Sequence, residues 1–117
     1  MSAGHRYEII DGMLYVTPSP GTPHQRALSE LIGPLWPYAK RVGLYPMTSP
    51  ADIEFSEHTV VQPDLFVFTE PSDARQWTWS EITSRLVLAV EVLSPSMVRR
   101  DRIIKRRLYQ TQRIPEY

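Results

Sequence analysis

The stretch SRLVLAVEVLSPS, residues 84–96, places one carboxylate inside an apolar run. Residues 86–90 are apolar at every position, Glu91 interrupts the run, and two more apolar residues follow it. Such a run is typical of a strand buried on both faces, as at the centre of a sheet covered by helices. An ionised carboxylate left alone there would be strongly unfavourable, so Glu91 must be protonated, paired or bound to a metal ion. A buried pair with an arginine is the structural alternative to a functional acid.

A second carboxylate stands at the mouth of another apolar run. Asp64 follows Pro63 and leads directly into the apolar residues 65–68. Two carboxylates at the ends of neighbouring strands would converge on one hard cation such as Mg²⁺, which takes oxygen ligands and keeps several waters. Such a cation activates a bound water and stabilises the charge that develops in phosphate hydrolysis. The alternative for Asp64 is a simple turn residue beside a proline.

The segments before and between these strands predict short elements. YEIIDGMLYV, residues 7–16, predicts a β-hairpin because Asp-Gly at its centre is a strong type I′ turn signal. ADIEF at 51–55 and VVQPDLFVF at 60–68 predict one strand each, and residues 70–83 are predicted to form a surface excursion.

A helix is predicted between the hairpin and these strands. It should begin at an N-cap on Thr22, and Pro34 and Pro37 should kink or end it early. The order of hairpin, helix, three strands and helix predicts an α/β or α+β fold with a mixed sheet flanked by helices.

Length, charge and composition limit the classes of protein. The 117 residues fit a single domain over 1–117, and 13 Lys and Arg balance 13 Asp and Glu, so any electrostatic footprint must be local. The lack of cysteine excludes disulfides and thiolate metal sites and suits a reducing cytosol. No apolar run approaches the roughly 20 residues that span a bilayer. We therefore expect a cytoplasmic protein without a membrane partner.

The segment RRDRIIKRRLYQTQ, residues 99–112, predicts a basic helix. Lys105 is its one lysine. Asp101, one turn before it, is predicted to hold the ammonium by an i, i+4 contact, and Tyr109 lies one turn after it. A solvated helix face is the structural alternative for this segment. The functional interpretation is that its arginines track a phosphate backbone. These arginines are Arg99, Arg100, Arg106 and Arg107.

Taken together, VVQPDLFVF, VLAVEVLSPS, RRDRIIKRRLY, IPEY and the opening YEIIDGMLYVTPSPGTPHQ resemble the Uma-type family of restriction endonucleases. That family belongs to the PD-(D/E)xK nuclease superfamily, whose restriction-endonuclease-like fold is a mixed sheet flanked by helices. The resemblance covers essentially the whole chain. It implies that Asp64 supplies the acid of the PD motif and Glu91 the second acid. It also implies Mg²⁺, or Mn²⁺ in its place, at both acids, with the Val92 carbonyl as a further ligand and no small-molecule cofactor.

The chain departs from the parent motif in two places. Leu93 stands where the lysine of the motif is expected, and the resemblance implies that Lys105 has taken over that role. Family members continue with another strand after PEY, so we expect this chain to lack its C-terminal strand or strands. The family resemblance also implies a homodimer. Candidates for auxiliary roles are His24, Glu30, Asp101 and Tyr109.

Two functions are compatible with these patterns. The first is a Mg²⁺-dependent endonuclease that hydrolyses DNA phosphodiester bonds through Asp64, Glu91 and Lys105. The alternative is a catalytically inactive nucleic-acid-binding or interaction module that retains the nuclease fold. A Lys105 side chain that reaches the two acids favours the enzyme, and one that points to solvent favours the binding module.

Overall fold

A computed structural model describes residues 5–18, 21–73, 75, 77–93 and 99–117. Its elements follow one another along the chain as β1 (His5–Ile10), β2 (Met13–Pro18), α1 (Thr22–Arg41), β3 (Leu44–Thr48), β4 (Ile53–Ser56), β5 (Thr59–Val61), β6 (Leu65–Thr69), α2 (Trp79–Ser84), β7 (Leu86–Val90) and α3 (Arg99–Thr111).

The strands form two antiparallel sheets, one with the order β2-β1-β5-β4 and one with the order β3-β6-β7. Within the described ranges, the parallel contact is an isolated bridge between Leu88 of β7 and Glu116. These sheets and helices confirm the predicted α+β class. None of the described helices is long and apolar enough to cross a membrane.

The predicted N-terminal hairpin is confirmed. Strands β1 and β2 pair from His5↔Pro18 to Ile10↔Met13, so Asp11 and Gly12 are the two turn residues between them. Both have positive φ, 50° and 81°, as a type I′ turn requires at its two central positions. Asp is tolerated in this conformation, and Gly adopts it without a steric penalty.

Strand β6 separates the two halves of the core. Leu65 and Val67 are buried together with Leu28 of α1, on one side of the three-stranded sheet. Phe66 and Phe68 point the other way and belong to a larger cluster with residues of the four-stranded sheet, α2 and α3. This alternation follows from the two-residue period of a strand. The layers therefore run from α1, through the three-stranded sheet, to the four-stranded sheet with α3.

The strand at the centre is not the one that the sequence indicates. The residues of β7 are only partly buried at three of five positions, and β7 borders its sheet, whereas β6 lies between β3 and β7. The predicted strand at 60–68 is in fact two strands, β5 and β6, which belong to different sheets. The chain crosses between the sheets at Gln62, Pro63 and Asp64, where Pro63 has no N–H to donate to a ladder. Strand β3 and helix α2 were not predicted.

Helix α1 continues through both of its prolines. Gly21, not Thr22, is the N-cap, and no side chain caps the first turn. Pro34 and Pro37 lie inside the helix, contrary to the predicted early end. Each proline removes one backbone hydrogen bond, to the carbonyl four residues earlier. Both prolines lie on the exposed face of α1, where water can solvate the freed carbonyls, while the opposite face is held by its packing on the sheet.

Candidate active site

Asp64 and Glu91 lie side by side at one end of the three-stranded sheet. Strands β6 and β7 are antiparallel and pair Leu65 with Val90, so the residue before β6 opposes the residue after β7. The Asp64 N–H donates to Glu91 Oε2 at 3.2 Å, and the Val92 N–H donates to Asp64 Oδ2 at 2.7 Å. Both side chains are almost completely buried. The backbone of each strand end therefore fixes the carboxylate of the other.

The second oxygen of Asp64 faces two basic side chains. Arg6 Nη2 donates to Asp64 Oδ1 at 2.6 Å, and His24 Nε2 lies 3.0 Å from the same oxygen. Arg6 comes from β1 and His24 from the first turn of α1. Burial by itself lowers the pKa of Arg6, but the combined attraction of Asp64 and the neighbouring carboxylates raises it above its ordinary value. Arg6 therefore remains a cation beside Asp64.

Lys105 of α3 reaches into the same site. Its Nζ lies 2.5 Å from Glu91 Oε1 and 2.5 Å from Glu8 Oε2, and the residue is 6% exposed. Burial lowers the pKa of Lys105, and the attraction of Glu91 and Glu8 outweighs that effect, so the pKa is raised and the ammonium is retained. Burial raises the pKa of Glu91, although Lys105 opposes it. The ammonium is thus the shared counterion of two buried acids.

Glu8 is a member of this cluster that the sequence does not reveal. It is 5% exposed. Its Oε2 accepts hydrogen bonds from the Lys105 ammonium and from the Gln62 N–H, the latter at 2.7 Å. The antiparallel register places Arg6, Glu8 and Ile10 on one face of β1. Because Ile10 belongs to the core, that face points inward. The sequence carries no signal for this orientation, because Ile9 and Ile10 place an apolar residue on each face of β1.

Two polar atoms at the site have no hydrogen-bond partner among the described residues. They are Tyr109 Oη and His24 Nδ1, and both are buried. The Tyr109 ring lies 6.0 Å from Lys105 Nζ and packs against Phe55 and Tyr117. Burial, followed by the charges of Glu91 and Glu8, raises the pKa of Tyr109 well above its usual range. Tyr109 therefore stays protonated, and an auxiliary role for its hydroxyl stays a prediction.

Some predicted site residues lie elsewhere. Glu30 is exposed and pairs with Arg26 at 3.3 Å, and its auxiliary role stays a prediction. Asp101 is half-buried and does not hold the Lys105 ammonium, which pairs with Glu8 and Glu91 instead. At Val92 the N–H contacts Asp64, and a metal-ligand role for its carbonyl stays a prediction.

The exposed face of α3 carries three of the four arginines that are predicted to contact DNA. Arg99, Arg106 and Arg107 are exposed, while the side chain of Arg100 lies outside the described residues. Lys105 and Tyr109 lie on the opposite, buried face of the same helix. One helix therefore serves both the buried site and a cationic surface.

Asp64 and Glu91 offer carboxylate oxygens, the ligand type that a hard divalent cation prefers, and both are fixed at one end of the sheet. Within the described ranges, no group of three carboxylate or histidine side chains comes together that could hold a metal ion by itself. A cation bound by these two acids would complete its shell with water and substrate oxygens, as Mg²⁺ commonly does.

The chain belongs to the Uma2 family, described as "Putative restriction endonuclease", whose family model matches residues 1–117. This confirms the resemblance carried by the sequence motifs and indicates a nuclease. No curated protein matches the chain. Binding of Mg²⁺, homodimer formation and a cytoplasmic location stay predictions.

Proposed function

We propose that this protein is a Mg²⁺-dependent endonuclease that hydrolyses phosphodiester bonds in DNA. The observation that carries the proposal is the juxtaposition of Asp64, Glu91 and Lys105 in one buried cluster, although they come from three separate elements. A fold has little to gain in stability from burying several charges together, whereas active sites commonly do so. Membership in a family of restriction endonucleases supports the same class of reaction.

Asp64 and Glu91 are the residues that would hold the metal ion. A bound Mg²⁺ supplies an activated water and stabilises negative charge on the phosphate. Arg6 and the Val92 N–H fix the orientation of the Asp64 carboxylate, and the Asp64 N–H fixes that of Glu91. These contacts hold the acids in place before any ligand arrives, which lowers the cost of organising the site.

Lys105 provides a compact positive charge next to the acids. Its raised pKa keeps it protonated at neutral pH, so it can stabilise the extra charge of a pentavalent phosphate. The exposed arginines of α3 can bind neighbouring phosphates with their planar guanidinium groups. In this division of roles Lys105 acts on the reacting phosphate, and the arginines hold the DNA backbone.

A nucleic-acid-binding module without turnover is the second candidate, and one observation favours it. All four carboxylate oxygens of Asp64 and Glu91 already accept hydrogen bonds from protein donors. A metal ion would have to share or displace these contacts. A protein that could not make this exchange would keep the fold and the basic helix but would not cut DNA.

The test is nicking of supercoiled plasmid DNA with and without Mg²⁺. We expect nicking that needs Mg²⁺ and that is lost in Asp64→Asn and Glu91→Gln, because each change removes a charged ligand at nearly constant shape. Asp52→Asn and Glu70→Gln are matched controls: Asp52 is exposed, and Glu70 pairs with Lys40 outside the site. DNA binding without nicking would favour the binding module, and nicking that persists in Asp64→Asn would reject the proposed site.

A further inference from the structure

The two carboxylates that hold Lys105 differ in their other contacts. Glu91 accepts a hydrogen bond from the Asp64 N–H and is one of the two acids proposed to bind the metal ion. Glu8 makes its other hydrogen bond to the Gln62 N–H, two residues before Asp64 in the segment that links the two sheets. The ammonium therefore has one anchor at the proposed metal ligands and a second anchor beside them.

Glu8 is a rigid anchor. It lies on β1, which is flanked by β2 and β5 in the four-stranded sheet, so its backbone is fixed on both sides. Its Oε2 is held at 2.7 Å by the Gln62 N–H and at 2.5 Å by Lys105 Nζ. Lysine, by contrast, has a long flexible stem, and its head group stays in one place only where its partners keep it.

We infer that Glu8 is the positioning residue that keeps the Lys105 ammonium in the site when Glu91 binds a metal ion. This inference rests on the proposed function. A cation on Glu91 competes with the ammonium for the same carboxylate and repels it. With Glu8 in place, Lys105 loses one partner and retains the other. Without Glu8, metal binding would free the lysine head group at the point where the reaction needs it.

Glu8 serves the lysine rather than the metal ion. Its Oε2 already accepts hydrogen bonds from the Lys105 ammonium and the Gln62 N–H. The described residues contain no three-ligand cluster that would join Glu8 to Asp64 and Glu91 around one cation. Replacing Glu8 should therefore disturb the order of Lys105 much more than the affinity for Mg²⁺.

The chain offers a direct measurement, because Lys40 and Lys105 are its only lysines. Labelling lysine with ¹³C gives two ε-methylene signals in NMR spectra, and inequivalent ε-hydrogens identify an immobilised side chain. In the wild type, we expect Lys105 to remain immobilised with and without Mg²⁺. In Glu8→Gln, we expect it to be immobilised without Mg²⁺ and to lose the inequivalence when Mg²⁺ saturates the site. Nicking should then fall by about 100-fold, the scale of a misplaced catalytic group.

Glu8→Met and Glu70→Gln are measured alongside Glu8→Gln. Glu8→Gln keeps an oxygen that can accept the Gln62 N–H, so it is the variant that should fold without difficulty. Glu8→Met also removes that acceptor and should free Lys105 more completely. Glu70→Gln is the matched control, because it should loosen Lys40 regardless of Mg²⁺ and leave the Lys105 signal unchanged.

The amide signal of Val92, which donates to Asp64, reports Mg²⁺ binding independently of Lys105. If Mg²⁺ shifts this amide while Lys105 stays immobilised in Glu8→Gln, the inference is overturned and the proposed function stands. If Mg²⁺ leaves the Val92 amide of the wild type unchanged, the proposed function is overturned and the inference with it. Replacing a residue that only supports the metal ligands typically lowers metal affinity by about 10- to 100-fold, so a larger loss of Mg²⁺ affinity would make Glu8 a ligand and overturn its positioning role.

Discussion

The two lysines of the chain occupy similar arrangements at very different depths. Lys40 of α1 pairs with Glu70 and lies 4.5 Å from the centroid of the Tyr45 ring. Lys105 of α3 pairs with two glutamates and lies 6.0 Å from the centroid of the Tyr109 ring. The Lys40 side chain is 34% exposed and that of Lys105 is 8% exposed. The same elements, a lysine, a carboxylate and an aromatic ring, thus occur once near the surface and once inside.

The difference in burial separates an ion pair near the surface from a buried ion cluster. At the surface, a lysine–glutamate pair is worth up to about 1 kcal/mol and is screened by salt. Inside, every charge loses its hydration, so a buried ion cluster is seldom a net gain over apolar packing. The Lys105 cluster also contains one carboxylate more than its ammonium can neutralise, and Asp64 lies next to it. The buried cluster, with Arg6 beside Asp64, therefore holds three carboxylates against two basic side chains that carry a full charge.

Loss of Lys105 should destabilise the protein far more than loss of Lys40. Replacing Lys105 by methionine leaves Glu8 and Glu91 buried without their shared cation, which should cost about 3–5 kcal/mol in the free energy of unfolding. Lys40→Met should cost no more than about 1 kcal/mol. Urea unfolding of both variants at neutral pH measures the difference. Equal losses would show that burial does not distinguish the two lysines.

The pH dependence of Lys105→Met provides a control for that result. The pKa of Glu91 is raised above its ordinary value of 4.5, so the folded state holds this proton more tightly than the unfolded state. The corresponding stability is present below the unfolded pKa and is lost as pH rises through the folded pKa. Without Lys105 the pKa should rise further. The deficit of the variant should therefore shrink in acid, and a deficit that is the same at all pH values would argue for a packing defect.

The rate of DNA nicking should also differ between substitutions of the two lysines. Lys105→Ala should reduce nicking by at least about 100-fold, the scale for loss of one group that stabilises charge in the transition state. DNA binding should remain nearly intact, because the exposed arginines of α3 are unchanged. Lys40→Ala, purified and assayed in parallel, should nick at the wild-type rate. Wild-type nicking by Lys105→Ala would show that another residue, or none, stabilises the phosphate.

Substitutions of the exposed arginines of α3 test whether this helix binds DNA. Arg106→Ala and Arg107→Ala should each weaken DNA binding and reduce the slope of log affinity against log salt by about 1. The rate of nicking at saturating DNA should change little, since neither side chain is buried with the acids. Fluorescence anisotropy over a salt series measures the slope. An unchanged slope would place the DNA on another surface.

The outcome for Lys105 also shows what the sequence could and could not predict. Local signals were sufficient for the Asp-Gly hairpin, for the basic helix, and for two acids at the ends of apolar strands. The partner of Lys105 was predicted to be Asp101, four residues away on the same helix. The structure instead pairs it with Glu8, 97 residues away. Pairing between distant strands and helices brings these groups together, and no pattern within one segment encodes it.

The same limit explains the error about the central strand. The apolar run at 86–90 and the run at 65–68 look equally buried in the sequence. Only the pairing order of β3, β6 and β7 makes β6 central and leaves β7 at the border. Arg6 was missed for a related reason, because the face of β1 that points inward depends on the sheet it joins. Burial on one or both faces is a property of the packed layers rather than of the strand alone.

Alkaline pH should produce a smaller effect that also depends on the buried cluster. The pKa of Lys105 is raised above 10.5 and that of Tyr109 well above 10.0. Both groups hold their protons more tightly in the folded state, so their contribution to stability is complete below the unfolded pKa and is lost as pH rises above it. Wild-type stability should therefore decline above about pH 10. In Lys105→Met this decline should be weaker, and an identical decline would exclude Lys105 as its source.

The smallest expected effect on stability concerns the hydroxyl of Tyr109. This hydroxyl is buried and has no partner among the described residues, so Tyr109→Phe removes a polar group without breaking a described hydrogen bond. Stability should be unchanged or should increase by about 1 kcal/mol, since an unsatisfied buried polar group is unfavourable. Tyr45→Phe, beside Lys40, is the matched control and should change neither stability nor nicking. If the Tyr109 hydroxyl hydrogen-bonds to bound DNA or to a water in the site, nicking should fall in Tyr109→Phe while the protein remains as stable as before. A clear loss of stability would instead mean that the hydroxyl has a partner within the folded protein, and unchanged nicking would leave Tyr109 with the packing of its ring as its sole role.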